Sequence, residues 1–144
     1  MNKLFVSAFL LSAIVLFSSA TSAQSSDDAY VLHVQTWKFK SLPTGDDAEA
    51  FNEMLKKQSG VFNSDSRVLS SRVLRHNWGN DSRDLVMIAE FKNRAELFSF
   101  YDEFGSMMEK AFSKEETEKN DALWDKYVGQ HSDEIYQEVA GTRK

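Results

Sequence analysis

Three side chains that could hold a small molecule alternate along one short segment near the start of the chain. His33, Gln35 and Trp37 are each separated by one residue, the spacing that places side chains on one face of a β-strand. An imidazole offers a hydrogen-bonding group that titrates near neutral pH, and an indole offers a flat apolar wall. The pattern predicts a ligand-binding surface, on which His33 would be the general base of an enzyme. The alternative is that His33 is hydrogen-bonded within the fold and Trp37 packs in the core.

A predicted β-hairpin supplies further polar side chains. Strands predicted over 67–78 and 83–92 are joined by Gly, Asn, Asp and Ser, which are all turn formers. Pairing Trp78 with Arg83 across this turn sets the register of the hairpin, and the register decides which side chains share a face.

In that register the more polar face of the hairpin carries Arg75, Asn77 and Glu90. We expect these three side chains to line a pocket together with those of the first strand, since small-molecule sites combine apolar walls with a few convergent polar groups. The alternative is that Arg75 and Glu90 pair within the sheet. His76 and Trp78 fall on the other face, where we expect packing beneath a helix and keep the mouth of a cleft as the alternative.

The sequence predicts no metal site and contains no motif that identifies a cofactor. Its three histidines are scattered along the chain without the spacing of metal ligands. His131 precedes Asp133 and Glu134, but metal sites need three or four convergent ligands. Glycine-rich phosphate loops, cysteine nucleophiles and the HExxH motif are all missing from the sequence.

The elements that position these side chains follow from hydrophobic periodicity. In order, they are a strand over 30–39, a helix over 46–59 opened by Asp46 and Glu49 and closed by Gly60, the hairpin, a helix opened by Asn93 and Glu96, a helical stretch opened by Ser113 and Glu116, and an edge strand over 132–139. The main helix buries a stripe made of Leu97, Tyr101, Phe104 and Met108. This order predicts an α+β, ferredoxin-like βαββαβ fold with an antiparallel sheet and the main helices on one face.

Both faces of the predicted sheet carry apolar residues, so both must be covered. Helices cover one face, and a second copy of the chain is the natural cover of the other. The predicted pocket then lies in the lumen between the two sheets. In this order of elements the chain resembles the dimeric α+β barrel superfamily, which includes monooxygenases and haem-degrading enzymes.

Two short runs carry a second resemblance. The runs His-Ser-Asp-Glu-Ile-Tyr at 131–136 and His-Asn-Trp-Gly at 76–79 are similar to those of small exported bacterial proteins of unassigned activity. The residues required by haem-degrading members of the superfamily have no matching positions here. The resemblance therefore implies a fold and a homodimer but no catalytic residue.

The N-terminus predicts export. Lys3 precedes an apolar run over 4–17 and small residues over 18–23, which is the organisation of a secretory signal peptide. Residues 1–23 are therefore predicted to be removed, leaving 24–144 as a single domain in the periplasm or outside the cell, with no membrane segment. The net charge of −5 disfavours nucleic acid as a partner.

These observations leave three function classes open. The first is an exported small-molecule-binding protein, which needs only a shaped cavity and a few polar groups. The second is a monooxygenase- or isomerase-type enzyme of the same fold that uses the lumen histidine, His33. The third is a structural homodimer without a ligand. We favour binding, because no spacing in the sequence forces an acid and a base together.

Overall fold

The computed structural model describes residues 29–143. Seven elements follow one another along this stretch: β1 Val31–Phe39, α1 Gly45–Ser64, β2 Val68–Arg75, β3 Asp84–Phe91, α2 Arg94–Ala111, α3 Lys114–Tyr127 and β4 Val128–Gln137. The predicted signal peptide, 1–23, lies outside the described residues. None of the helices in the described stretch is long and apolar enough to cross a membrane.

The four strands form one sheet in the order β2-β3-β1-β4, and every neighbouring pair is antiparallel. With helices α1 and α2 in the two crossover connections, this is the predicted ferredoxin-like arrangement. The additional helix α3 precedes the last strand.

The helices pack on one face of the sheet, called here the covered face. Side chains of β3 alternate strictly between buried and half-buried positions, because successive residues of a strand point to opposite faces. One buried cluster contains Phe39, Phe51, Met54, Leu55, Leu85, Met87, Leu123 and Tyr127. A second contains Val31, Phe62, Ala89, Phe91, Leu97 and Phe100. The opposite face, called the open face, has no helix of the described chain against it.

The predicted hairpin register is wrong by one residue. Arg75 pairs with Leu85, and the loop occupies 76–83 instead of the four predicted residues. The amide N–H of His76 closes this loop by donating to the carbonyl of Asp84 over 2.9 Å. A shift of one residue exchanges the faces of a whole strand, so β2 presents Arg75 on the covered side and His76 on the open side. The pairing shifts by one residue at Leu69, so Val68, at the start of β2, lies opposite Phe91 on the covered face, as predicted.

Helix boundaries follow local capping and burial. Asn93 caps α2 by accepting a hydrogen bond from the amide of Glu96, as predicted. Helix α1 starts after Thr44, which makes no side-chain cap, so the predicted role of Asp46 as cap is wrong. The helix also continues through Gly60 to bury Val61 and Phe62, because apolar burial outweighs the low helix propensity of one glycine.

Strand β4 is the predicted edge strand but begins earlier than expected. It follows α3 directly at Val128 and pairs with β1. After the half-buried Val128, every residue of β4 is exposed, since the helices lie over the middle of the sheet and not over this edge.

Candidate functional site

A small cavity lies between α1 and the covered face. Its volume is about 20 Å³, which is room for one water molecule. His33, Gln35, Gln58 and Ser59 are among the residues around it, but the surface that they and their neighbours present to the cavity is apolar. The cavity is therefore a small apolar gap in the packing beside His33.

His33 is buried at the side of this cavity, where both of its ring nitrogens have partners. Nδ1 lies 2.5 Å from the phenol oxygen of Tyr101, and Nε2 lies 3.2 Å from Oδ1 of Asp133. Burial lowers the pKa of His33 below its ordinary 6.5, although the carboxylate of Asp133 partly opposes this shift. The imidazole is therefore neutral at neutral pH, with one N–H and one acceptor nitrogen.

The proton positions follow from these partners. Burial raises the pKa of Tyr101 well above its ordinary value, so the phenol keeps its proton and donates to Nδ1 of His33. The single imidazole proton then lies on Nε2 and is donated to the carboxylate of Asp133. A phenol, an imidazole and a carboxylate thus form one directed chain of hydrogen bonds from α2 through β1 to β4.

Asp133 brings together three side chains at the edge of the sheet. Besides His33, it accepts a 2.6 Å hydrogen bond from Nε2 of Gln35 and lies 3.2 Å from Nε2 of His131. Its side chain is 43% exposed, so the solvent end of the hydrogen-bond chain is accessible. This carboxylate orients both His33 and Gln35.

Trp37 lies further along β1 within an aromatic cluster. Its ring stacks on His131 with 4.2 Å between centroids and lies 4.8 Å from the ring of Trp124. Its indole nitrogen, Nε1, is buried and has no hydrogen-bond partner. A buried donor without a partner costs about 1–3 kcal/mol, so an acceptor that reached this N–H would recover that cost.

A wider cleft opens beside this aromatic cluster. It has a volume of about 600 Å³ and is lined by Trp37, Gln58, Asp121, Trp124, Asp125, Val128 and Gly129. Gln58 of α1 lines both this cleft and the small cavity. Gln58 is thus the residue that the two spaces share, and the wider space is called here the helix-side cleft.

The structure brings together only part of the predicted site. His33, Gln35 and Trp37 share one face as predicted, but that face is covered by the chain's own helices, so their predicted position in a lumen between two copies is wrong. Arg75 also lies on the covered side, where it donates to Asn52 of α1 over 2.8 Å, away from His33.

Four other predicted residues lie elsewhere. Glu90 is on the open face, where it accepts from Ser70 over 2.8 Å. Asn77 is exposed in the hairpin loop. His76 follows Arg75 on the open side of the sheet and Trp78, in the loop, is 91% exposed, so their predicted packing beneath a helix is wrong.

Four residues of the site were not predicted as such: Tyr101, Asp133, Gln58 and Trp124. The sequence places Tyr101 in the buried stripe of the main helix, a pattern that gives no sign of a partner for its hydroxyl. Asp133 lies directly opposite Gln35 in the pairing of β1 with β4, and only that pairing reveals it. Within residues 29–143, no group of three His, Cys, Asp or Glu side chains could hold a metal ion.

Comparison with known proteins supports the fold. No family model and no curated protein matches the sequence. Among solved structures, a dimeric ferredoxin-like protein of unknown function from Bacteroides fragilis NCTC 9343 is 12% identical, with a TM-score of 0.52 over 77% of this chain and 98% of its own. A variant of SnoaB, a cofactor-independent oxygenase from Streptomyces nogalater, is 11% identical, with a TM-score of 0.51 over 81% and 99%.

A third similar structure is a dimeric ferredoxin-like protein from an uncultured marine organism. It is 13% identical, with a TM-score of 0.50 over 83% of this chain and 96% of its own. At such identities the likeness is one of fold. The predicted ferredoxin-like α+β fold is thereby confirmed.

Proposed function

We propose that the chain is an exported, homodimeric small-molecule-binding protein whose ligand lies in the helix-side cleft. The observation that carries this proposal is the buried indole N–H of Trp37, which has no hydrogen-bond partner. A ligand oxygen or nitrogen that accepts from this N–H would remove the cost of leaving it unpaired. The indoles of Trp37 and Trp124 would contact a flat apolar body.

The cleft offers a suitable environment for such a ligand. Its volume of about 600 Å³ is within the range of about 300–1,000 Å³ typical of small-molecule sites. Gln58 adds a side-chain amide that can both donate and accept. The proposed ligand is therefore a small aromatic or otherwise flat molecule with at least one acceptor atom.

The test is native mass spectrometry of the exported protein, comparing wild type with Trp37→Phe. We expect wild type to retain a small molecule and the variant to lose it, with about tenfold weaker binding for one lost hydrogen bond. The chain should still fold, because the phenyl ring keeps part of the packing against Trp124 and His131 and the lost donor has no partner in the free protein.

A matched control separates binding from folding. Phe98 is an exposed aromatic residue of α2, 55% accessible to solvent, and Phe98→Ala should retain the same small molecule as wild type. If Trp37→Phe lowers the free energy of unfolding and leaves binding unchanged, Trp37 is a packing residue and the proposal is wrong. If wild type carries no ligand from its native compartment, the structural homodimer is the remaining function.

The hydrogen-bond chain favours an enzyme as the second candidate. Because Asp133 holds His33 in one tautomer, His33 would become a general base if Tyr101 moved away from Nδ1. The same fold in SnoaB belongs to a cofactor-independent oxygenase, so the architecture is compatible with catalysis. An enzyme would convert the copurifying molecule, and His33→Gln would abolish turnover while keeping binding. Unchanged turnover in that variant would exclude this role.

The open face supports the homodimer. Leu32, Val34, Val86 and Ile88 are half-buried there with no helix against them, and Leu74 is 45% exposed. Two of the similar solved structures are described as dimeric. Sedimentation equilibrium should show a dimer at micromolar concentration, and a stable monomer would contradict the proposal.

N-terminal sequencing of the exported protein should find a start near Gln24, whereas an intact Met1 would contradict export.

A further inference from the structure

We infer that Trp78, at the tip of the β2–β3 hairpin, packs against a second copy of the chain at the rim of the open face. This inference rests on the proposed homodimer. It adds a contact made by the hairpin loop to the contacts made by the sheet faces. Trp78 is 91% exposed, although burying an indole removes about 150–250 Å² of surface from water. Among the exposed apolar side chains of the described residues, it has the largest exposed fraction.

The hairpin tip bends toward the open face. Arg75 shares the covered side with Leu85, so His76, one residue further, projects from the open side. Nε2 of the His76 ring lies 2.5 Å from the carbonyl oxygen of Trp78. The backbone at Trp78 therefore lies against a side chain of the open face, so this exposed residue stands beside the rim of that face.

Charged groups hold the loop in this position. Lys38, on the open face of β1, contacts Asp81 at 3.0 Å and Asp84 at 2.7 Å. Arg83 contacts Asp81 at 2.8 Å. Together these two cations keep the pKa of Asp81 well below its ordinary value, with the hydrogen bond from Arg83 as the larger cause. The indole is thus presented by a loop with several side-chain contacts, which lowers the entropy lost when it packs against a partner.

A second copy is the occupant that the open face favours. Leu74 precedes His76 on the same face of β2 and pairs with Val86, so apolar side chains continue from the hairpin tip onto the open face. One partner can cover both the open face and the hairpin loop, because they form a continuous surface. In an isologous dimer, each copy makes this same contact with the other. Tryptophan is also enriched among the residues that dominate the energy of interfaces.

The test is sedimentation equilibrium of the mature protein over a concentration series, comparing wild type, Trp78→Ala and Phe98→Ala. We expect Trp78→Ala to raise the dimer dissociation constant about tenfold, the change expected when an interface tryptophan is truncated. Phe98→Ala removes an exposed aromatic residue outside the open face and should leave the dissociation constant unchanged. Trp78→Ala should unfold at the same urea concentration as wild type under conditions where both are monomeric.

The other outcomes separate the inference from the proposed homodimer. A wild type that stays monomeric at all concentrations would overturn both. A dimer that Trp78→Ala does not weaken would overturn only the role of Trp78. The last experiment adds vesicles of phosphatidylcholine and measures tryptophan fluorescence. If the vesicles shift the fluorescence of wild type but not that of Trp78→Ala, and Trp78→Ala dimerises as wild type does, then the indole binds lipid and the inference is wrong.

Discussion

The phenol of Tyr101 donates to Nδ1 of His33 and thereby joins helix α2 to the central strand β1. The two rings meet edge to face, with 4.9 Å between their centroids and an angle of 88° between their planes. Since the other ring nitrogen faces Asp133, the imidazole is fixed in one tautomer. Protonation of His33 would place two donors in the ring and remove the acceptor that Tyr101 needs.

The first prediction concerns stability against pH. Burial lowers the pKa of folded His33 below 6.5, so in the window between the two values the unfolded chain binds more protons than the folded one. Stability is then complete above pH 6.5 and declines as the pH falls from there through the lowered folded pKa. Urea unfolding of wild type measured at steps from pH 8 to pH 5 should show this decline.

A variant that cannot titrate isolates the effect. His33→Gln retains a polar side chain and should flatten the decline below pH 6.5, although it lowers stability at all pH values by losing part of the network. Equal pH slopes for wild type and His33→Gln across this window would show that His33 does not control acid stability.

The second prediction concerns the main helix. Phe100 is fully buried and Leu97 nearly so, while Tyr101 and Phe104 are partly buried against the same cluster. Phe100→Ala should therefore lower the free energy of unfolding by about 3–5 kcal/mol, the usual cost of removing a buried phenylalanine. Phe98→Ala, on the exposed side of the same helix, should change it by less than about 0.5 kcal/mol. Urea unfolding of both variants gives the comparison, and equal losses would mean that the helix is rotated.

Sequence patterns predicted the fold wherever burial differs strongly between two faces. Strand β3 alternates throughout, so its faces were predicted correctly. In β2, the polar residues Ser70, Ser71 and Arg72 fall on both faces, and nothing in the pattern penalises a shift of one residue. The register of β2 against β3 therefore depends on the length of the loop between them. The sequence does not specify where this loop, which is rich in turn-forming residues, begins.

The candidate site could be predicted only in part for a related reason. Alternation along β1 predicts that His33, Gln35 and Trp37 share one face. It does not predict whether helices of the same chain or a second copy pack on that face. The polar character of these residues favoured a lumen between two copies, whereas the structure satisfies His33 with Tyr101 of α2 and Asp133 of β4. Both partners are distant in sequence and depend on tertiary pairing.

The third prediction concerns the start of α3. Ser113 accepts from the amide of Glu116 over 3.3 Å, and the carboxylate of Glu116 accepts from the amide of Ser113 over 2.8 Å. Ser113→Ala should lower the free energy of unfolding by about 1 kcal/mol, the typical cost of losing such a cap. Urea unfolding checks this value, and an unchanged stability would show that the cap is dispensable.

The carboxylate of Glu116 adds a pH-dependent term at the same place. Lys57, 2.6 Å away, and the hydrogen bonds with Ser113 lower the pKa of Glu116 from 4.5 to about 2. Because the folded pKa is depressed, its contribution is present above pH 4.5 and is lost as the pH falls toward 2. Glu116→Gln should make unfolding less dependent on pH in this acid range, and an identical acid profile would contradict the assignment.

The fourth prediction compares two glycine-to-alanine substitutions of opposite effect. Gly79 in the hairpin loop has φ of 141°, a conformation that residues with a side chain rarely adopt. A Cβ there would lie 2.7 Å from Nε2 of His76. Gly79→Ala should therefore lower the free energy of unfolding by about 1–3 kcal/mol. Gly60, inside α1, has no atom within 4 Å of an added Cβ, and Gly60→Ala should raise it by about 0.5–1 kcal/mol.

The double variant His76→Ala with Gly79→Ala separates the two causes at the hairpin tip. Removing the imidazole relieves the close contact but leaves the backbone strain, so its stability should exceed the value expected from adding the two single effects. Urea unfolding of all four variants measures these differences. If Gly79→Ala leaves stability unchanged or raises it, the loop does not have the conformation that places Trp78 beside the rim of the open face.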